Sequence, residues 1–149
     1  MNNYNLINNC RISVILLLIF LCSCYDVRTN HMLSMKNNSN RIISILYSNK
    51  TAPDSNENNI AYYLSDQNLL KPDSSRNIII LGGENAWHNY IQKENAKRLF
   101  VYVFDVDTLR KYNGVYSIND LRNNHKYLKM HSYSEQELKN SNWRIDFKN

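Results

Sequence analysis

The residues best placed for chemistry are two carboxylates, Asp105 and Asp107, which follow directly after the apolar run RLFVYVF at positions 98–104. A carboxylate at the end of a buried strand can act as a nucleophile, and a second carboxylate nearby can act as a general acid or base. Thr108 follows Asp107 and adds a hydroxyl to the same segment. Nucleophilic or acid–base catalysis is the chemistry that this group of side chains could support.

The segment LFVYVFDVDTL resembles the first motif of haloacid-dehalogenase-like phosphatases, in which an apolar strand ends in D-x-D-x-T. The resemblance implies Asp105 as the nucleophile and Asp107 as the acid and base. The spacing departs from the family pattern, because Thr108 directly follows Asp107 and the family keeps one residue between them. The chain downstream is also too short to supply the family's lysine and Mg²⁺-binding acids. We therefore expect Asp107 to cap a short helix at 108–112, and a small accessory hydrolase or phosphatase-like enzyme is the alternative function.

Asp107-Thr108-Leu109 also resembles the D-[ST]-aliphatic motif for O-glycosylation in periplasmic proteins of Bacteroidota. The resemblance implies a glycan on the Thr108 hydroxyl, provided that this hydroxyl is exposed at the start of the helix. Thr108 is therefore a candidate modification site, and an unmodified helical residue is the alternative.

No combination of side chains predicts a metal or cofactor site. The chain has four histidines, without a metal-ligand pair spacing or an H-E-x-x-H motif: His31, His88, His125 and His131. His125 and His131 would share one face of a strand, so a metal site there is the alternative to surface histidines. Gly82-Gly83 separates a predicted strand from a predicted helix, but without a third glycine we expect a turn rather than a phosphate loop.

Residues 1–23 have the order of a secretory leader. Arg11 precedes the apolar run Ile12–Leu21, which as a helix covers roughly 15 Å, or half of a hydrocarbon core of about 30 Å. That length is typical of a signal peptide. The motif Leu21-Cys22-Ser23-Cys24 resembles a bacterial lipobox, which implies cleavage before Cys24 and acylation of its thiol. An ordinary secretory leader or a short uncleaved anchor is the alternative.

The cysteines support this interpretation, because all three lie in or next to the leader, at Cys10, Cys22 and Cys24. After removal of the leader, Cys24 would be the one cysteine left in the chain. A disulfide within the domain, a cysteine nucleophile and a thiolate metal site are thereby excluded. We expect no cofactor, and a domain that is stabilised by core packing.

The basic charge is dispersed along the chain. The sequence has 18 Lys+Arg against 13 Asp+Glu, a net charge of +5, without a dense basic tract. This distribution indicates a solvated face. Nucleic acid is not an expected partner, because the leader directs the chain out of the cytoplasm. Some tyrosines could stack on sugar rings, with core packing as the alternative: Tyr62, Tyr63, Tyr102 and Tyr116.

The elements that must position these residues are predicted within one domain, residues 41–149. Residues 24–40 show no periodicity and are predicted to form a flexible tether behind the lipidated cysteine. Strands are predicted at 41–48, 60–65, 77–81, 98–104, 126–131 and 143–147, and helices at 84–97, 108–112 and after Ser117 and Ser134. This mixture predicts an α+β fold, with a mostly antiparallel sheet of about five to six strands and two to three short helices on one side.

The C-terminal third resembles a family of small lipoproteins of Bacteroidota. The matching residues include Phe104, Asp105, Asp107, Thr108, Leu109 and Tyr112, then Tyr127, Leu128, Ser134, Glu137 and Leu138, and finally Asn142, Trp143, Ile145 and Phe147. The chain departs from the family at Phe147-Lys148, where the family has Tyr-Pro, and at Met130, where it tends to have Arg. The resemblance implies an envelope location and a fold, and it supplies no catalytic residue.

The sequence therefore predicts a non-enzymatic lipoprotein of the cell envelope, attached to a membrane through the lipid anchor on Cys24. Its expected role is structural, or the binding of a protein or glycan partner. Tyr25 stands where an Asp would signal retention in the inner membrane, which favours the outer membrane. The periplasmic face and the cell surface both stay open as its location.

Overall fold

A computed structural model describes residues 32–51 and 59–148. In these two ranges the chain forms seven strands, which are β1 (Leu33–Asn37), β2 (Ile43–Ser48), β3 (Leu69–Leu70), β4 (Ser75–Ile78), β5 (Leu99–Asp105), β6 (Lys129–Tyr133) and β7 (Arg144–Phe147). The same ranges contain five short α-helices, which are α1 (Ile60–Tyr63), α2 (Ala86–Gln92), α3 (Val106–Tyr112), α4 (Ile118–Asn123) and α5 (Glu135–Asn140), and a 3-10 turn at Asp66–Asn68.

The strands belong to two sheets. The larger sheet has the order β3-β2-β5-β6 and is antiparallel throughout. The smaller sheet has the order β4-β1-β7, in which β1 is antiparallel to β4 and parallel to β7. The predicted α+β class and the mostly antiparallel pairing are confirmed, with the strands in two sheets rather than one.

Strand β5 lies between β2 and β6 in the larger sheet, and it is buried on both faces because a separate core cluster covers each of them. Its side chains alternate, with Leu99, Val101 and Val103 in one core cluster and Phe100, Tyr102 and Phe104 in the other. This alternation is the period of two that a strand imposes. The continuous apolar run therefore marks a central strand, as the sequence predicted.

The helices lie on both faces of the larger sheet, not on one side as predicted. Trp87 and Ile91 of α2 and Leu138 of α5 pack in the cluster that the two sheets share. Helices α1, α3 and α4 cover the opposite face through Ile60, Leu109, Ile118 and Leu121. Because β5 is apolar on both faces, each face needs its own cover.

The tether predicted for residues 24–40 is wrong in its second half. Residues 33–37 form β1, in which Leu33 and Met35 are fully buried against the shared core. Buried Leu33 and Met35 alternate with the polar residues Ser34 and Lys36 over only a few positions. The segment is nevertheless a strand, because β4 and β7 both pair with it. The folded part therefore begins before the predicted boundary at Arg41. The first half of the predicted tether, with Cys24, lies outside the described residues.

The strand predicted at 60–65 is also wrong, because this segment begins as helix α1. The side chain of Asn59 accepts a hydrogen bond from the backbone N–H of Ala61 at 2.9 Å, which caps the helix. A cap of this kind favours a helical turn over the β propensity of the Ile and Tyr residues that follow. The helix predicted at 84–97 is present as the shorter α2.

Two predicted capping boxes are confirmed at α4 and α5. Ser117 pairs with Asp120, and Ser134 pairs with Glu137, in both cases with the reciprocal hydrogen bonds of the motif. The predicted inward face of the last strand is confirmed as well, since Trp143, Ile145 and Phe147 are buried.

Candidate functional site

The larger of two clefts described in the domain lies beside the outer edge of β2. We call it the β2 cleft, and it encloses about 370 Å³. Its walls are formed by Ile45, Leu46 and Tyr47 of β2, by Asn59, Tyr62 and Tyr63 around helix α1, by Asn68 and by Arg76. A volume of this size, and a lining of aromatic and aliphatic side chains with a few polar groups, are typical of ligand pockets.

Helix α1 brings two tyrosines to this cleft. Tyr63 is buried in the core, whereas the side chain of Tyr62 is directed outwards and the residue is 58% exposed. The two rings meet edge to face with centroids 5.2 Å apart. Tyr63 therefore holds one wall in place, and Tyr62 presents its ring to solvent and to any bound ligand.

Arg76 supplies the charged group of the cleft. Its Nη1 donates to the carbonyl oxygen of Gln67 at 2.8 Å and to Oδ1 of Asn68 at 3.2 Å. Asn68 is itself held by hydrogen bonds from its Nδ2 to the carbonyl oxygen of Tyr62 and to Oγ of Ser65. Within residues 32–51 and 59–148, no carboxylate forms an ion pair with Arg76. The guanidinium is thus oriented, half-buried and without a counter-charge in the part of the chain that the structure describes.

A second, shallower cleft lies between α3 and the turn before β6. We call it the basic hollow; it encloses about 270 Å³ and is lined by Thr108, Lys111, Tyr112, His125, Lys126, Tyr127 and Leu128. Nδ1 of His125 and the hydroxyl of Tyr127 are 3.0 Å apart, and Lys111 Nζ lies 5.4 Å from the ring centre of Tyr112. The hollow is positive, but its two lysines are exposed to solvent, so its field is screened.

Asp105 and Asp107 do not converge on a common point. Asp105, not Asp107 as predicted, caps α3, because its Oδ1 accepts a hydrogen bond from the N–H of Asp107 at 2.8 Å. Oδ2 of Asp105 accepts a second hydrogen bond from Arg41 at 2.8 Å. The side chain of Asp107 is 89% exposed and pairs with Arg110. Neither carboxylate lines the β2 cleft or the basic hollow.

The environment of Asp105 favours its charged form. Burial acts to raise the pKa of this carboxyl, but the hydrogen bond from Arg41 and those from the backbone N–H groups of Asp107 and Thr108 outweigh burial and lower the pKa below its ordinary value of 3.8. Asp105 is therefore an ionised acceptor whose two oxygens are both occupied.

Thr108 lies in the first turn of α3, two residues after its first helical residue Val106. It is half-buried and forms part of the wall of the basic hollow. Glycosylation at Thr108 stays a prediction, and the residue that would carry the glycan is only partly exposed.

The histidines within the described ranges are separated from one another. His125 precedes β6 with a positive φ of 53° and packs on Tyr127, whereas His131 lies within β6 and stacks on Tyr133. The shared strand face predicted for His125 and His131 is therefore wrong. In the described part of the chain, no three His, Cys, Asp or Glu side chains gather as a metal-binding group. His31 lies outside the described residues.

Gly82 and Gly83 form the turn that the sequence predicted. Their φ angles are 137° and 77°, in the region that glycine reaches without strain. Helix α2 starts only at Ala86, and the side chain of Asn85 makes no capping hydrogen bond there.

Of the four tyrosines considered for sugar stacking, two line the β2 cleft. Tyr102 is buried in the core instead, and Tyr116 packs against Tyr112 with ring centres 5.2 Å apart.

Arg76, Asn59 and Asn68 were not singled out from the sequence. Nothing in their spacing marks them, because a half-buried cation can be recognised only from the residues that surround it.

The motif around Cys24 lies outside the described residues. Helices in the described ranges are all too short to cross a bilayer.

A scan against protein-family models, a search of curated proteins and a search of solved structures each found no match. What the fold and the cleft define is a small α+β domain with a partly uncovered sheet edge that borders an aromatic, cationic cleft.

Proposed function

We propose that the protein is a cell-envelope lipoprotein, anchored through an acylated Cys24, that binds a protein or glycan partner in the β2 cleft without catalysing a reaction. The outer membrane is its proposed location, on the periplasmic face or at the cell surface. The resemblance of the C-terminal third to small lipoproteins of Bacteroidota supports the same assignment.

The sequence of the leader supports the anchor. A short apolar run is followed by Leu21, two small residues and Cys24, which is the order that a lipoprotein peptidase needs. Each CH₂ of an acyl chain that enters the bilayer contributes roughly 0.8 kcal/mol, so several chains on one cysteine hold a small domain firmly.

The single observation that carries the binding role is the arrangement of Arg76 in the β2 cleft. A fixed guanidinium beside an exposed Tyr62 ring offers a ligand both charge and an apolar surface. The carboxylates of Asp105 and Asp107, by contrast, are directed to separate partners. The geometry favours recognition over chemistry.

Labelling with radioactive palmitate and fractionation of cells test the anchor. The wild-type chain and a Cys22→Ala variant, which keeps a small residue in the motif, are expected to incorporate palmitate and sediment with membranes. Cys24→Ala is expected to do neither. Membrane association of the Cys24→Ala variant at the wild-type level would contradict the anchor.

Co-purification from native membranes tests the binding role. A partner specific to the β2 cleft is expected to be recovered with the wild-type chain and lost with Tyr62→Ala. Tyr116→Ala is the matched control, since it removes a half-exposed tyrosine outside the cleft. Equal recovery with both variants would contradict a binding role for the cleft. Protease treatment of whole cells then distinguishes surface from periplasmic display.

A further inference from the structure

We propose that the apolar end of the smaller sheet, formed by Met32, Ile79 and Leu81, lies against the bilayer that holds the lipid anchor, and that this contact orients the domain on the membrane. We call these three residues the apolar tip. The inference rests on the proposed anchor at Cys24 and deepens that function, because it names a second contact with the membrane.

The apolar tip continues the pairing between β1 and β4. Leu33 lies opposite Ile78, so the next residues outward, Met32 and Ile79, are neighbours at the end of the sheet. Leu33 and Ile78 are buried, whereas Met32 and Ile79 are exposed. This is the alternation that a strand imposes, and it places Met32 and Ile79 on the outer face of the smaller sheet.

Leu81 extends the apolar tip beyond the strands. It is 94% exposed, more than any other large hydrophobic residue in the described ranges, and Ile79 is 55% exposed. Ile80 between them packs against the core that the two sheets share, so Ile79 and Leu81 are directed away from that core. Exposed apolar side chains that are grouped on a surface mark contacts with proteins or membranes.

The covalent chain selects the membrane as the occupant. Met32 is eight residues after Cys24, and eight fully extended residues span at most roughly 29 Å. An acylated Cys24 lies at the bilayer surface, so the start of β1 is held within that distance of the lipid, and the apolar tip with it. A surface that is already tethered needs only a weak affinity of its own, because its effective concentration at the membrane is high.

Two other occupants fit the apolar tip less well. The segment 25–31, YDVRTNH, is mostly polar and is therefore a poor cover for apolar side chains. A second copy of the chain would bring like charges together, since Lys36 and Arg144 share the outer face of the smaller sheet and Asp146 offsets only one of them. Anionic lipid headgroups attract the same charges.

Quenching of a fluorescent label by nitroxide lipids tests this inference. The full acylated protein is reconstituted in vesicles of phosphatidylethanolamine and phosphatidylglycerol, with the nitroxide close to the headgroups. A label on Asn77→Cys, an exposed position on β4 beside the apolar tip, is expected to be quenched. The same label on Asn124→Cys is the control and should be quenched far less. This exposed asparagine follows α4, which covers the opposite face of the larger sheet.

Replacement of Leu81 tests whether the apolar tip causes the contact. In the labelled Asn77→Cys protein, Leu81→Ser is expected to lower the ratio of docked to undocked domains about 10-fold, because the transfer of one leucine side chain out of water is lost. Val115→Ser is the matched control, since it removes another exposed apolar side chain outside the tip, and it should leave quenching unchanged. Circular dichroism verifies that both variants are folded.

The outcomes separate this inference from the proposed anchor. Incorporation of palmitate without preferential quenching at Asn77→Cys would overturn the inference and keep the anchor. Quenching that Leu81→Ser does not change would do the same, as would energy transfer between labels on two copies in place of quenching by lipid. Failure of Cys24 to incorporate palmitate would instead remove the anchor, and the inference would fall with it.

Discussion

Nη1 of Arg41 lies 2.8 Å from Oδ2 of Asp105, and this contact ties the segment just before β2 to the end of β5. The register explains the contact, because Ile43 lies opposite Asp105 in the sheet. The same carboxylate caps α3 through its other oxygen. Asp105 thus joins two strands and a helix, which is a structural use of the carboxylate that the sequence offered as a nucleophile.

Replacement of Asp105 is expected to destabilise the domain. Asp105→Ala removes both the cap of α3 and the partner of Arg41, and we expect a loss of about 1–2 kcal/mol in the free energy of unfolding. Asp105→Asn keeps a capping oxygen and loses only the charge, so it should cost less. Urea denaturation of the three proteins at neutral pH measures the difference. Equal stability of the alanine variant and the wild type would contradict the structural role.

The contribution of Asp105 to stability is expected to depend on pH in the acid range. Burial opposes ionisation, but the hydrogen bonds from Arg41 and the backbone lower the pKa of Asp105 in the folded state below its ordinary value of 3.8. Because the pKa of Asp105 is lower in the folded chain than in the unfolded chain, its ionised carboxylate stabilises the folded protein at pH values above the pKa of the unfolded chain. This stabilisation is lost as the pH falls through the pKa that Asp105 has in the folded protein. The difference in unfolding free energy between wild type and Asp105→Asn should therefore be constant near neutrality and shrink below pH 3.8. Urea titrations across this range measure it.

The position of β1 predicts where the chain can be shortened. A chain that begins at Met32 is expected to fold, because it keeps β1 with Leu33 and Met35 in the core. A chain that begins at Arg41 is expected to be unfolded or aggregated, since β4 and β7 lose the strand between them. Amide dispersion in NMR spectra and far-UV circular dichroism distinguish the two. A folded chain from Arg41 onwards would restore the tether hypothesis for residues 32–40.

The capping box at α5 predicts a local loss of stability. In Ser134→Ala the N–H of Glu137 loses its acceptor Oγ, which lies at 3.3 Å. Removal of such a cap costs about 1 kcal/mol. Ser134→Thr keeps a hydroxyl at the cap and should retain most of the stability. Thermal and urea unfolding of both variants test this, and an equal loss in both would show that the hydroxyl is not the cause.

The glycosylation motif predicts a mass increase at Thr108. Protein isolated from its native source is expected to be heavier than the sum of its residues and lipid by the mass of a glycan, and Thr108→Val is expected to remove that increase. Thr51→Val leaves the motif intact and is the control. Intact-mass spectrometry reads the result, and an unmodified wild-type chain would remove Thr108 from the candidate sites.

Local features of this fold could be predicted from the sequence because their causes are local. A Ser and an acidic residue three positions later define the caps of α4 and α5, whatever lies around them. The run from Leu99 to Phe104 is apolar at every position, so only a strand that is covered on both faces can accommodate it.

The remaining features depend on partners that are distant in the chain, and the tertiary structure alone decided them. Residues 33–37 became a strand because β4 and β7 pair with them from far along the sequence. Strand β3 covers only the start of the outer edge of β2, at Ile43 and Ser44, and Arg76 stands in the cleft because Gln67 and Asn68 orient it. A residue's type is written in the sequence, but its burial and its hydrogen-bond partners are set by long-range packing.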